Sequence, residues 1–161
     1  MLSLPRLFVL SLLPVPFLNL PAADLSLIDG GRSDYQIVVP DNLPSPALTE
    51  CLNQTARLMQ VAFQANGAEV AVVVESQRSA AKPTLYLGNT SFAQKNDVDT
   101  SKLIDWSYVQ RVVGKNLIIA GNDQVAPVEA DPKARRQPAW DRVGTAKAVA
   151  DFVREFMGVR F

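Results

Sequence analysis

From Leu48 onward apolar side chains return every three or four positions: Leu48, Cys51, Leu52, Thr55, Leu58, Met59, Ala62 and Phe63. Glu50, Asn53, Gln54, Arg57, Gln60 and Gln64 fill the other positions. That spacing places the first set on one stripe of an α-helix and the second on its polar face. Ser45 is a good N-cap, Pro46 suits the first helical position, and Gly67 sits where a left-handed residue ends a helix. A second segment of this kind puts Val149, Phe152, Val153, Phe156 and Met157 on one face, with Lys147, Asp151, Arg154 and Glu155 opposite. Thr145 is its expected N-cap and Gly158 its stop.

Other stretches lack helical spacing and read as strands. YQIVVP (35–40) is β-branched and apolar, preceded by the turn-like DGGRSD and stopped by proline. EVAVVVE (69–75) is almost continuous in valine, which predicts a strand internal to a sheet. TLYLGNT (84–90) is a third strand, ending where Gly88 lets the chain turn. WSYVQRVV and NLIIAG form a hairpin about Gly114-Lys115, with Gly first as a type II′ turn requires. In its first arm Trp106, Tyr108, Gln110 and Val112 alternate with Ser107, Val109, Arg111 and Val113, so at least one face is expected to be buried. Residues 122–143 carry three prolines and mixed charge without periodicity, and read as a long surface loop.

The resulting order is strand, helix, strand, strand, hairpin, long loop, helix. Only the first strand–helix–strand unit suggests a parallel pair, with a right-handed crossover. The expectation is an α/β fold of the α+β type: one mixed β-sheet with two main helices packed on one face.

Composition narrows the chemistry. The chain of 161 residues is 48% hydrophobic, with 16 basic and 16 acidic side chains, so one globular domain is expected and nucleic acid is not an expected partner. Histidine is absent, which excludes Ser-His-Asp and Cys-His catalysis and His-based zinc sites. The lone Cys51, on an apolar helix stripe, reads as a buried structural thiol rather than a nucleophile. Neither a metal nor a cofactor is expected.

Residues 1–23 begin with one basic residue, Arg6, continue apolar and end in Pro21-Ala22-Ala23. This is the order of a signal peptide cleaved after Ala22 or Ala23, with export to the periplasm or beyond. The competing reading is an apolar arm or anchor. Pro5, Pro14 and Pro16 and the short uninterrupted apolar run argue against a stable membrane span.

Gly144-Thr145, an apolar helix and then Gly158-Val159-Arg160-Phe161 resemble the G-T … G-V-R-W/F signature of the alpha-glucuronidase N-terminal domain. That family is similar in fold to the second domain of chitobiase and beta-hexosaminidases. SDYQIVVPDN resembles its opening strand, the helix from Ser45 its long first helix, PTLYLGNT its I-x-x-G-x-T strand and YVQRVVGKNLIIAGND its hairpin. The resemblance covers about residues 25–161. Departures are Lys147 or Ala148 where an aromatic is common, and the long proline-rich loop.

The resemblance implies a non-catalytic accessory domain, residues 24–161, of a secreted glycoside hydrolase acting on polysaccharide. Its partner would be a downstream catalytic barrel, which this chain lacks, so the chain is expected to be the N-terminal part of a larger protein. Arg160 and Phe161 are then candidate interface residues. The alternative is a free-standing exported carbohydrate- or protein-binding module. Glycoside hydrolysis needs two carboxylates facing across a sugar, and every acid here reads first as solvated surface charge. Gly30-Gly31-Arg32 precedes a strand, not a helix, and so is no phosphate loop. Among aromatics able to stack on sugar, Trp106 and Tyr108 favour core packing, whereas Trp140 in the long loop is the candidate sugar contact. No catalytic residue is assigned.

Overall fold

The computed structural model describes residues 25–124 and 142–159. Within it lie β1 (Gln36–Val39), α1 (Pro46–Ala65), β2 (Ala71–Val74), β3 (Thr84–Leu87), α2 (Ser91–Lys95), β4 (Tyr108–Val113), β5 (Asn116–Gly121), β6 (Asp123–Gln124), β7 (Arg142–Val143) and α3 (Gly144–Phe156). Single 3₁₀ turns occupy Glu75–Gln77 and Thr100–Lys102. The expected predictors of α1 all operate: the Ser45 hydroxyl accepts from the Leu48 N–H, Pro46 opens the helix, and Gly67 follows it with φ 81°.

Five strands form one mixed sheet in the order β2-β1-β3-β5-β4. β1 pairs parallel with β2 and β3, β3 pairs parallel with β5, and only β4 runs antiparallel, in the hairpin with β5. The fold is α+β with a mixed sheet, as expected, but the parallel part is larger than one pair. Its strands are apolar at successive positions because both faces are covered. Ile37, Val39, Leu85, Leu87, Leu117 and Ile119 point to one side, where they meet Met59 and Phe63 of α1 and Val149 and Val153 of α3. Val38, Tyr86, Ile118 and Ala120 point to the other, against Ala93 of α2, Val98 and Phe92, whose ring stacks on Tyr86 at 4.2 Å. The two main helices share one face as predicted.

Several expectations are corrected. β2 is an edge strand, not an internal one. Its valines look internal because Val72 and Val74 pack toward one apolar cluster and Val73 toward the other. Residues 91–105, where periodicity predicts no element, include α2, capped by the Thr90 hydroxyl. The ends of the supposed loop are ordered: β6 and β7 pair antiparallel, Asp123 with Val143. β4 is half-exposed to exposed along its length, and Trp106, ahead of it, is 46% exposed, so core packing fails for Trp106. Cys51 is only half-buried. No described helix is long and apolar enough to cross a membrane.

α3 differs at both ends. Val143, not Thr145, precedes its first turn and provides no side-chain cap. Val149, Phe152 and Val153 are buried as predicted, whereas Phe156 is 62% exposed because it faces an open groove, and Met157 beyond it still packs half-buried against the core. Asp151, expected on the free polar face, accepts from the Tyr108 hydroxyl of β4 at 2.9 Å, from Lys147 at 2.6 Å and from Arg154 at 2.8 Å.

Candidate functional site

In an open sheet of parallel strands, ligands bind beyond the carboxyl ends, where successive connections leave on opposite faces. Here that place lies between β1, followed by α1 on one face, and β3, followed by α2 on the other. Acidic residues stand at the ends of three parallel strands: Asp41 after β1, Glu75 after β2 and Asp123 after β5.

Each of these carboxylates accepts hydrogen bonds from a neighbouring loop or helix start. Asp41 accepts from the Ser76 N–H at 3.1 Å and from its hydroxyl at 2.5 Å. Glu75 accepts from the Ser91 N–H at 2.9 Å, the Ser91 hydroxyl at 2.7 Å and the Phe92 N–H at 3.1 Å. It thereby occupies the first turn of α2, where the peptide dipoles favour negative charge. Asp123 does the same for α3, accepting from the Thr145 N–H at 2.9 Å and its hydroxyl at 2.6 Å.

Thr145 is the hinge pin of this edge. Its side chain is fully buried, donates to Asp123 and accepts from the Gly121 N–H at 2.9 Å. Gly144 and Gly121 lie backbone to backbone, and a Cβ on Gly144 would come within 2.6 Å of the Asn122 nitrogen and 2.8 Å of the Ser107 oxygen. Asn122, buried beside them, donates its side-chain amide to the Asp105 carbonyl at 3.1 Å. Burial pushes the Asp123 carboxyl above the ordinary carboxylate range, opposed by the two Thr145 bonds. The reading of Asp123 as solvated surface charge is therefore corrected.

On the α3 flank, the bonds from Lys147 and Tyr108 hold Asp151 below the ordinary range, and the same bond raises Tyr108. Lys147 also lies 4.7 Å from the centre of the Tyr108 ring. Tyr108 thus ties β4 to α3. An open groove of about 810 Å³ lies at the far end of α3, lined mainly by Leu25, Ile28, Val112, Phe152, Phe156 and Met157, with Asn66 at its rim.

Trp140, Arg160 and Phe161, the candidates for sugar and interface contact, lie outside the described residues. So do residues 1–23. Gly30-Gly31-Arg32 forms a tight turn in which Asp29 and Arg32 exchange backbone hydrogen bonds. Among the described residues, no group of three or more His, Cys, Asp or Glu is placed to hold a metal. The strand-end carboxylates escaped sequence reasoning because their partners are distant in the chain; an acid within two residues of a strand's end was the available signal. Compared with protein-family models, curated proteins and solved structures, the chain matches none.

Proposed function

We propose that this chain is the non-catalytic N-terminal accessory domain of a secreted, alpha-glucuronidase-like glycoside hydrolase, bracing a catalytic barrel and helping to shape its cleft. The observation that supports this reading is the use of Asp41, Glu75 and Asp123 as fastenings between strand ends and neighbouring loops. A hydrolase presents two carboxylates roughly 5 to 9 Å apart to a sugar. These carboxylates instead accept from backbone N–H and hydroxyl groups of their own domain. The Gly144-Thr145 pair that carries the resemblance lies at the centre of this fastening, with a physical need for both residue types.

On this reading the first 22 or 23 residues are removed on export, the barrel follows Phe161, and polysaccharide is the substrate of the parent protein. The direct assay is hydrolysis of aryl-glucuronide and aryl-hexosaminide substrates by the isolated chain. Release at the background rate is expected. Turnover above background that disappears when one of its acids is neutralised would overturn the proposal.

A further inference from the structure

Asn66-Gly67 combines a reactive dipeptide with a structural duty. An Asn-Gly bond is the sequence most prone to deamidation, because glycine leaves its backbone nitrogen unshielded. Asn66 is exposed at the C-terminal end of α1. Its side-chain amide donates to the Ala62 carbonyl at 2.9 Å and to the Met157 carbonyl at 3.2 Å, tying the end of α1 to the end of α3. The Gly67 nitrogen, which would be the nucleophile, donates to the Gln64 carbonyl at 2.9 Å. Both reacting groups are therefore engaged while the two helix ends stay together.

We propose that Asn66 is a latch subject to spontaneous deamidation, held back by its own hydrogen bonds and irreversibly opened when it reacts. In the step, the Gly67 backbone nitrogen loses its proton and bonds to the Asn66 Cγ. The Cγ–Nδ2 bond breaks, ammonia leaves, and a succinimide remains. Water then opens that ring to aspartate or isoaspartate, with no change of oxidation state.

The product inverts the chemistry of the latch. A donor amide becomes an acceptor carboxylate, facing two carbonyls at the negative end of the α1 dipole. The terminal turn of α3 loses its tie to α1, and with it one wall of the groove formed by Phe156 and Met157. The remaining anchors of this turn are the Met157 and Val159 N–H groups on the Val153 carbonyl, and the Met157 and Val159 side chains packed at the edge of the core.

The test is peptide-mapping mass spectrometry of the full chain held in mildly alkaline buffer, beside a synthetic peptide of residues 60–72. Asn66 in the chain is expected to react at least about tenfold more slowly than in the peptide, because local opening must come first. Val159→Gly, which loosens the terminal turn without touching Asn66, should speed the reaction several-fold, and Ile104→Gly on an exposed loop should not. Hydrogen exchange of the Asn66→Asp variant should show faster exchange at Met157 and Val159 than in the parent. Equal rates in chain and peptide, no response to Val159→Gly, or unchanged exchange in Asn66→Asp would each overturn the proposal.

Discussion

The Asp123 carboxylate holds both the backbone N–H of Thr145, at 2.9 Å, and its hydroxyl, at 2.6 Å, across a gap of 22 positions in sequence. It supplies from the end of the sheet the cap that Val143 cannot give to α3. The same hydroxyl also accepts from Gly121 in β5. Strand end, ribbon and helix start are thereby one hydrogen-bonded unit.

Thr145→Val keeps the shape of the side chain and removes its hydroxyl. The buried Gly121 N–H and one Asp123 oxygen then lose their partner, and a loss of about 1–3 kcal/mol is expected. Thr145→Ser keeps the hydroxyl and should retain most of the stability. Urea denaturation of both variants makes the comparison, and equal losses would mean that the methyl group, not the hydroxyl, matters.

Gly144→Ala places a methyl group against the backbone of Asn122 and Ser107, neither of which can move without unpairing the strand end. A loss of at least about 3 kcal/mol is expected, the upper end of overpacking costs. Gly30→Ala meets nothing within 4 Å and suffers only from φ 53°. Its cost should be about 1–2 kcal/mol. Thermal unfolding of the pair would contradict this account if Gly30 proved the more sensitive.

The two phenylalanines of α3 should behave differently. Phe152 is 6% exposed, and Phe152→Ala should cost about 3–5 kcal/mol. Phe156 touches Phe152 at 5.1 Å between ring centres but faces solvent, so Phe156→Ala should cost no more than about 1 kcal/mol. Similar losses in urea would place the last turn of α3 in the core after all.

These positions also show what could be read from the chain. The extent of α1 and most of its buried stripe were legible, because Ser45, Pro46, the apolar spacing and Gly67 all act within or beside the helix itself, although Cys51 on that stripe is only half-buried. The buried face of α3 was legible as a direction, but periodicity does not say which of its positions meet a covering element, and Phe156 faces an open groove. Thr145 looked like a cap because capping preferences are local, whereas its true partner, Asp123, enters from another element. The valine run of β2 reported coverage of both faces and could not report the open edge. α2 is too short for any period to emerge, although Thr90 ahead of it was a usable signal. The parallel pairing of β3 with β5 depends on an antiparallel β4 returning the chain to the start of the sheet, a relation no local pattern encodes.

Acid titration should separate two carboxylates whose pKa values are shifted in opposite directions. Asp123 has a folded pKa above its unfolded value, so in the interval between them the native state binds more protons and stability falls as pH rises. Asp151 has a depressed folded pKa, so its contribution is present above the unfolded value and is lost as pH falls. Asp123→Asn should therefore remove a decline in stability with rising pH just above the ordinary carboxylate range, and Asp151→Asn should remove a rise. Urea midpoints measured across the acid range decide it; a parent-like profile in Asp123→Asn would mean that its carboxyl is not shifted by burial.

The central claim, that this domain braces a hydrolase barrel, is tested most directly by sequencing the natural transcript through and beyond the Phe161 codon. The account predicts that the reading frame continues into a (β/α)₈ barrel carrying its own pair of catalytic carboxylates. A stop codon directly after Phe161 would contradict it and favour a free-standing exported binding module.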